Sequence, residues 1–170
     1  MKFYNPVQIE LGHGIRNNIY QQLKSNNTLV FCSNSFLKRH KKDPLLENLL
    51  NLRNICFEHS FTNNPSLEEM KIISEKYSKK SIDSIVGIGG GSAMDVAKIS
   101  SISIEAFKKG VTIENILEDI KEIDNIKNID LFLVPTTAGT GSEVTPFATI
   151  WDYDAGIKKS LSSSKMFAKK

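Results

Sequence analysis

The chain has 170 residues, which is enough for one domain with its own hydrophobic core. Hydrophobic residues make up 40% of the chain and charged residues 24%, as in an ordinary globular protein. Lysine and arginine number 22 against 19 acidic residues, and no apolar run approaches membrane-spanning length. We therefore expect neither a nucleic-acid partner nor a membrane span.

The N-terminal residues and the cysteines indicate the compartment. Residues 1–6 lack the long apolar segment of a secretory signal. The two cysteines, Cys32 and Cys56, both lie in apolar runs typical of strands, and we interpret them as reduced, buried thiols rather than as a disulfide. These features predict a cytoplasmic protein.

Predicted strands and helices alternate along most of the chain. In order they are a strand at 7–11, a helix at 15–23, a strand at 28–32, a helix at 45–52, a strand at 55–57, a helix from Ser66, a strand at 84–88, a helix at 92–107, a partly helical stretch to 128, and strands at 131–134, 147–151 and 160–162. Ser66 and Glu69 have the spacing of a capping box. The alternation predicts one α/β domain over residues 1–170, with a mostly parallel sheet.

A glycine-rich turn joins one of these strands to the helix that follows. Gly89, Gly90 and Gly91 precede Ser92, which opens the helical pattern. Glycines let the backbone approach an anion, and a helix start offers unpaired N–H groups, so the turn predicts a phosphate cradle for a nucleotide. The turn lacks the lysine of a Walker loop, and the acidic residue of the usual dinucleotide fingerprint is missing. The alternative is a tight connection without a ligand.

Two charged side chains follow on the same helix. Asp95 lies three residues after Ser92, where it either completes a capping box or accepts hydrogen bonds from amide or hydroxyl groups of a ligand. We favour the ligand. Lys98 lies one turn further on, and we interpret it as a solvated position able to pair with Asp95.

A second loop, residues 136–142, is dense in hydroxyl groups and follows another buried strand. Ligands of parallel sheets bind at the carboxyl ends of the strands, so we expect both loops to converge on one ligand. His13, His40 and His59 lie in unrelated segments without metal-ligand spacing, and we predict no metal site in this chain. The basic cluster at 38–42 is interpreted as a solvated helix end, with a ribose 2′-phosphate as the alternative ligand.

Residues 89–98, GGGSAMDVAK, and 135–145, PTTAGTGSEVT, together resemble two motifs of the iron-containing alcohol dehydrogenases. The resemblance extends over almost all of the chain. It implies the Rossmann-like N-terminal domain of that family, which binds NAD or NADP. In the family a helical C-terminal domain supplies the Asp and His ligands of a divalent metal, Fe or Zn. That domain is absent from residues 1–170, so we expect a fragment of a longer two-domain enzyme, inactive alone for lack of the metal site.

The resemblance also implies which residues contact the cofactor. They are Ser33, Asn64, Gly89, Gly90, Gly91, Ser92, Asp95, Thr136, Thr137, Thr140, Ser142, Thr145 and Lys159. The glycines and Ser92 would hold the pyrophosphate, and Asp95 would lie near the nicotinamide as the candidate catalytic residue. Ser33 stands where many members carry an aspartate for the adenosine ribose. With Arg39 nearby, this leaves both NAD and NADP open.

The implied reaction is hydride transfer between the nicotinamide and a primary alcohol or aldehyde. Two alternatives are an enzyme like glycerol dehydrogenase or dehydroquinate synthase, and a non-catalytic nucleotide-binding remnant. Residues 3–7 and 145–152 are similar to phosphonoacetaldehyde reductases, a subgroup of the family. Because the absent domain would leave apolar surface uncovered, we expect a homo-oligomer.

Overall fold

A computed structural model describes residues 4–23 and 27–170. Phe3, part of the segment that indicates the reductase subgroup, lies outside the described residues. The strands are β1 Asn27–Cys32, β2 Asn54–Glu58, β3 Ser84–Gly89, β4 Asp130–Pro135, β5 Phe147–Asp152 and β6 Ile157–Ser162. The α-helices are α1 Asn34–Arg39, α2 Pro44–Leu50, α3 Leu67–Ser78, α4 Gly91–Lys108 and α5 Ile113–Glu118. Short 3₁₀ helices span Ile15–Gln22, Ile120–Ile123, Ser142–Val144 and Ser164–Met166.

The central sheet has four parallel strands in the order β2-β1-β3-β4. This confirms the predicted α/β fold with a parallel sheet. Strand β1 is apolar from Leu29 to Cys32. Leu29 and Phe31 belong to the core beneath α3 and α4, whereas Val30 and Cys32 belong to the core on the opposite face. Successive side chains of a strand point to opposite faces, so a strand covered on both faces needs a continuous apolar run.

Helix α4 packs closely on the sheet because β3 carries a glycine in its middle. A Cβ atom on Gly87 would lie 2.8 Å from Ala97 Cβ and 2.8 Å from Leu133 Cδ2. Neither neighbour can move freely, since Ala97 is fully buried in α4 and Leu133 is buried in β4. The glycine therefore sets the distance between helix and sheet, and with it the position of the first turn of α4.

Helix α3 begins at the predicted capping box. The side chain of Ser66 accepts a hydrogen bond from the Glu69 amide, and the Glu69 carboxylate accepts one from the Ser66 amide. Met70, Ile73 and Tyr77 are buried along one side of the helix, as their spacing indicates.

Strands β5 and β6 form an antiparallel hairpin, which packs beside α4 rather than extending the parallel sheet. Both strands were expected from the sequence, although β6 begins three residues earlier than predicted. The hairpin matters for the site because it forms a wall next to the first turns of α4.

The strand predicted at 7–11 is wrong. Among the described residues, this segment makes one backbone hydrogen bond, from Gln8 N to Lys169 O (3.1 Å), and Leu11 is 91% exposed. Alternation alone does not make a strand when no neighbouring strand pairs with it. The helix predicted after this segment is present as the 3₁₀ helix Ile15–Gln22.

Across residues 4–23 and 27–170, we find no helix whose length and apolar content would let it cross a membrane.

Candidate cofactor-binding site

The glycine turn places an uncapped helix start at the carboxyl end of β3. Gly90 is the N-cap of α4 and makes no side-chain capping bond, because it has no side chain. Gly89 has a φ of +154°, and a Cβ there would lie 2.7 Å from Ala93 Cβ. The backbone path therefore requires glycine at this position, and it leaves amide groups of the first turn of α4 without a side-chain acceptor.

The second loop lies against the first, as predicted. The amide of Thr136 donates to the Gly89 oxygen (2.9 Å). A Cβ on Gly90 would lie 3.1 Å from Thr137 Oγ1, and a Cβ on Gly91 would lie 3.6 Å from Thr140 Cγ2. The parallel pairing of β3 with β4 brings the two loops to the same edge of the sheet, so the Thr137 hydroxyl lies beside Gly90 and the Thr140 methyl group lies beside Gly91.

Beside the first turns of α4 lies a cavity of about 190 Å³. Its lining residues are Asn63, Asn64, Pro65, Gly91, Ser92, Asp95, Thr149, Trp151 and Lys158. This volume is below the range of roughly 300–1,000 Å³ that is usual for whole small-molecule ligands, so the cavity fits a part of a dinucleotide rather than all of it. The cavity is bounded by the glycine turn on one side and by the β5–β6 hairpin on the other.

A larger cavity of about 680 Å³ lies elsewhere, along residues 7–17 and the end of β4. It is more apolar and does not include the glycine turn. We place the candidate site at the smaller cavity, because that cavity combines the helix start with polar side chains.

Asp95 is held by the protein on both of its oxygens. Oδ1 accepts from Ser142 Oγ (2.8 Å), and Oδ2 accepts from the amide and the hydroxyl of Thr149 (3.1 Å each). The capping box with Ser92 does not form, since the N-cap is Gly90 and the Ser92 hydroxyl donates to the Asn63 oxygen instead. The Asp95 side chain is still 17% exposed and lines the cavity, where a ligand can reach it.

The interpretation of Lys98 as a solvated position is wrong, because its side chain is fully buried. Its ammonium donates three hydrogen bonds, to Ser142 Oγ (2.8 Å), Thr145 Oγ1 (3.1 Å) and the Phe147 oxygen (2.8 Å). Burial lowers the pKa of Lys98 to about 8, although the negative charges of Asp95 and Glu143 act in the opposite direction. The sequence pattern did not predict the burial of Lys98, because the groups that accept its hydrogen bonds lie 44 to 49 positions further along the chain.

Of two further predicted contacts, Asn64 belongs to the cavity lining and Ser33 does not. Ser33 follows β1, next to the glycine turn, and its side chain caps α1 by accepting from Phe36 N (3.1 Å). Asn64 lines the cavity, and its backbone oxygen accepts from Tyr153 Oη (3.2 Å). The basic cluster is exposed at the end of α1, as predicted, and Arg39 Nε donates to the Ser35 oxygen (3.2 Å).

Lys159 is occupied by an ion pair with Asp152 (2.9 Å), whereas its neighbour Lys158 lines the cavity. Adjacent residues of a strand point to opposite faces, so only one of the two lysines can face the cavity. Lys158, Thr149 and Trp151 were not predicted as site residues. The alternation within β5 and β6 is the sequence signal that could have found them.

The described part of the chain holds no group of three or more His, Cys, Asp or Glu side chains close enough to bind a metal ion. The sequence resemblance assigns the metal ligands of the full-length enzyme to its C-terminal domain, and no residue of this chain is assigned to them.

Comparison with known proteins agrees with the motifs. The family model for iron-containing alcohol dehydrogenase matches residues 6–170. Choline dehydrogenase of Bacillus subtilis is 35% identical over 117 residues, which is 68% of this chain and 29% of that protein. The chain belongs to the iron-containing alcohol dehydrogenase family.

Solved structures show the same fold. An iron-containing alcohol dehydrogenase from Thermotoga maritima superposes with a TM-score of 0.82 at 31% identity, covering 98% of this chain and 45% of that one. Sulfoacetaldehyde reductase from Bifidobacterium kashiwanohense, solved in complex with NAD+, has a TM-score of 0.84 at 26% identity, covering 98% of this chain and 44% of that one. The chain thus spans less than half the length of these relatives, and it corresponds to their Rossmann-like domain.

Proposed function

We propose that the chain is the cofactor-binding part of a dehydrogenase that transfers hydride between NAD or NADP and a primary alcohol or aldehyde. The observation that carries this proposal is the uncapped start of α4, which faces a hydroxyl-rich loop at the carboxyl end of a parallel sheet. This arrangement suits a pyrophosphate, because backbone amides and the positive end of the helix dipole favour a negative charge.

The residues present fit a dinucleotide. The amides at Gly91 and Ser92 would bind the pyrophosphate, and Thr137 and Thr140, which lie beside Gly90 and Gly91, would contact it or the ribose. The positive charge of Lys158 adds to the attraction. The cofactor, when bound, supplies the hydride or accepts it; the protein positions it and excludes water from one side.

We propose that the other residues implied by the resemblance also contact the cofactor: Ser33, Asn64, Asp95, Thr136, Ser142, Thr145 and Lys159. Ser33 and the exposed Arg39 support NADP as an alternative to NAD, because a serine does not repel a ribose 2′-phosphate as an aspartate would. We also propose a cytoplasmic location and a homo-oligomer. The exposure of Ile9 (61%) and Leu11 (91%) supports self-association.

We further propose that the full-length enzyme belongs to the phosphonoacetaldehyde reductase subgroup, because residues 3–7 and 145–152 are similar to that subgroup. If the full-length protein is an enzyme of another kind, the alternative to an alcohol dehydrogenase is an enzyme like glycerol dehydrogenase or dehydroquinate synthase. A non-catalytic nucleotide-binding remnant is the alternative outside catalysis, and it predicts cofactor binding without turnover.

The test is a fluorescence titration of the chain with NADH and with NADPH, with circular dichroism as the control for folding. The key variant is Gly91→Ala. An added Cβ makes an ordinary 3.6 Å contact with Thr140, so the fold should be kept while the approach of a phosphate to the backbone is hindered. We expect the dissociation constant to rise by about tenfold or more, which corresponds to at least about 1.4 kcal/mol.

The matched control is Gly12→Ala, whose added Cβ would lie 3.8 Å from Ile15 Cβ, away from the glycine turn. It should bind as the wild type does. Absence of saturable binding in a folded chain would refute cofactor binding. Equal binding by Gly91→Ala and wild type would refute the glycine turn as the phosphate cradle.

A further inference from the structure

We propose that Lys98 is a positioning residue, which holds Asp95 and the segment 142–147 in the arrangement that binds the cofactor. The proposal rests on the proposed function and adds a residue that does not touch the cavity itself. Lys98 is absent from the cavity lining, since its side chain is fully buried behind that lining.

Lys98 joins three elements, of which two, α4 and β5, contribute residues to the cavity lining. From α4 its ammonium reaches Ser142 Oγ in a 3₁₀ helix and the Phe147 oxygen at the start of β5. Ser142 also donates to Asp95, so one hydroxyl group lies between the ammonium and the carboxylate, which are 3.9 Å apart. Removing the ammonium takes away three hydrogen bonds, one from the last residue of the second loop and two from the residues that follow it.

The carboxylate end of this network faces the cavity. Asp95 Oδ2 is fixed by Thr149 of β5, and both residues line the cavity together with the start of α4. The position of the Asp95 carboxylate therefore depends on Ser142 and Thr149, and the position of Ser142 depends on Lys98. A buried ammonium with three acceptors is costly to desolvate, so it stabilises this arrangement only while all its partners are present.

Because the ammonium of Lys98 can lose its proton, the positioning role predicts that cofactor affinity depends on pH. The charged groups that face it are Asp95 on α4 and Glu143 on the 3₁₀ helix, and both favour the protonated lysine, whereas burial opposes it and lowers the pKa to about 8. We expect cofactor affinity to fall as the pH rises through about 8, because the neutral amine holds its acceptors less tightly.

Stability should change in the opposite direction over the same range. Between about pH 8 and 10.5 the unfolded chain still binds a proton at Lys98 that the folded chain has lost, so this group makes the folded state relatively more stable as the pH rises. If Lys98 contributed only to the stability of the fold, cofactor affinity would not fall over the pH range in which the folded state becomes more stable.

The experiment compares Lys98→Met with Lys165→Met in this chain. Lys165 is a matched control: its ammonium also donates three hydrogen bonds, to the oxygens of Ile123, Asp124 and Ile126, far from the cavity lining. For each variant the dissociation constant of NADH and the urea unfolding midpoint are measured between pH 7 and 9.5. We expect Lys98→Met to weaken NADH binding by at least tenfold and to remove the decline in affinity near pH 8. Lys165→Met should lower the midpoint and leave the dissociation constant within twofold of the wild-type value.

Equal NADH binding by Lys98→Met and wild type would overturn the positioning role and leave the proposed cofactor site intact. Failure of the wild type to bind NADH or NADPH would overturn both. If Lys98→Met does not fold, Lys98→Gln decides the question, since it keeps a hydrogen-bond donor and removes the charge that acts on Ser142, Thr145 and Phe147. Lys98→Gln should weaken binding severalfold and remove the decline in affinity near pH 8, and unchanged affinity in this variant would refute the proposal.

Discussion

The carboxylate of Glu58 offers a sharp test of what stabilises the edge of the sheet. It lies at the end of β2, only 2% exposed, and it accepts four hydrogen bonds. These come from the amides of His59 (2.9 Å) and Ser60 (2.8 Å), Lys76 Nζ (2.6 Å) and Tyr77 Oη (3.0 Å). Burial alone would raise the pKa of Glu58, but Lys76 and the other donors lower it from 4.5 to about 2.

The depressed pKa sets the size and direction of the effect. The stabilisation is complete above pH 4.5, the pKa in the unfolded chain, and it is lost as the pH falls toward 2. The difference between the two pKa values corresponds to a contribution of about 3 kcal/mol at pH 7, which falls to about 1 kcal/mol at pH 3. Replacing the carboxylate by an amide should remove this dependence, because glutamine does not titrate.

The assay is urea unfolding of wild type and Glu58→Gln at pH 7 and pH 3. We expect the variant to be less stable by about 2–4 kcal/mol at pH 7, and the difference to shrink by about 2 kcal/mol at pH 3. The control is Glu75→Gln on α3, where the glutamate is 61% exposed and its pair with Lys79 (3.6 Å) should contribute under about 0.5 kcal/mol. A difference between wild type and Glu58→Gln that stays the same at both pH values would refute the reasoning.

Three further predictions concern packing, capping and thiol reactivity. Gly87→Ala should lower the free energy of unfolding by about 1–3 kcal/mol in urea, because its Cβ meets buried neighbours at 2.8 Å, whereas Gly91→Ala should not; equal effects would contradict the packing argument. Ser66→Ala should cost about 1 kcal/mol through loss of the capping box, and an unchanged melting temperature would speak against it. Burial raises the pKa of Cys32 to about 12, so iodoacetamide followed by mass spectrometry should modify the partly exposed Cys56 first; faster modification of Cys32 would show that β1 is not buried as described.

Much of the site was predictable because its signals are local. The turn from Gly89 to Ser92 specifies its own backbone path, and the hydroxyl-rich loop follows a strand that its apolar run predicts. Parallel neighbours then bring the two loops together without any further information. The capping box of α3 was predictable for the same reason, since Ser66 and Glu69 are only three residues apart.

Two errors share one cause. The alternation at 7–11 has the pattern of a strand, but a strand also needs a partner, and this segment has none in a ladder within the described chain. Lys98 has the position of a solvated residue one turn beyond Asp95, but the side of α4 on which it lies is covered by the hairpin. In both cases a local pattern was interpreted without the element that packs against it.

The sequence by itself determined the α/β class, the parallel sheet and the two loops of the candidate cofactor site, because hydrophobic period, capping residues and glycine turns act within a few residues. Only the tertiary structure decided that Lys98 is buried, that Asp95 is bound by Ser142 and Thr149, and that Lys158 rather than Lys159 lines the cavity. These features arise where residues 142–159 fold back on α4, and the contacts of that packing span 44–54 residues of chain. Burial and partner choice are set by which faces meet at that distance, and the residue types along one segment do not contain that information.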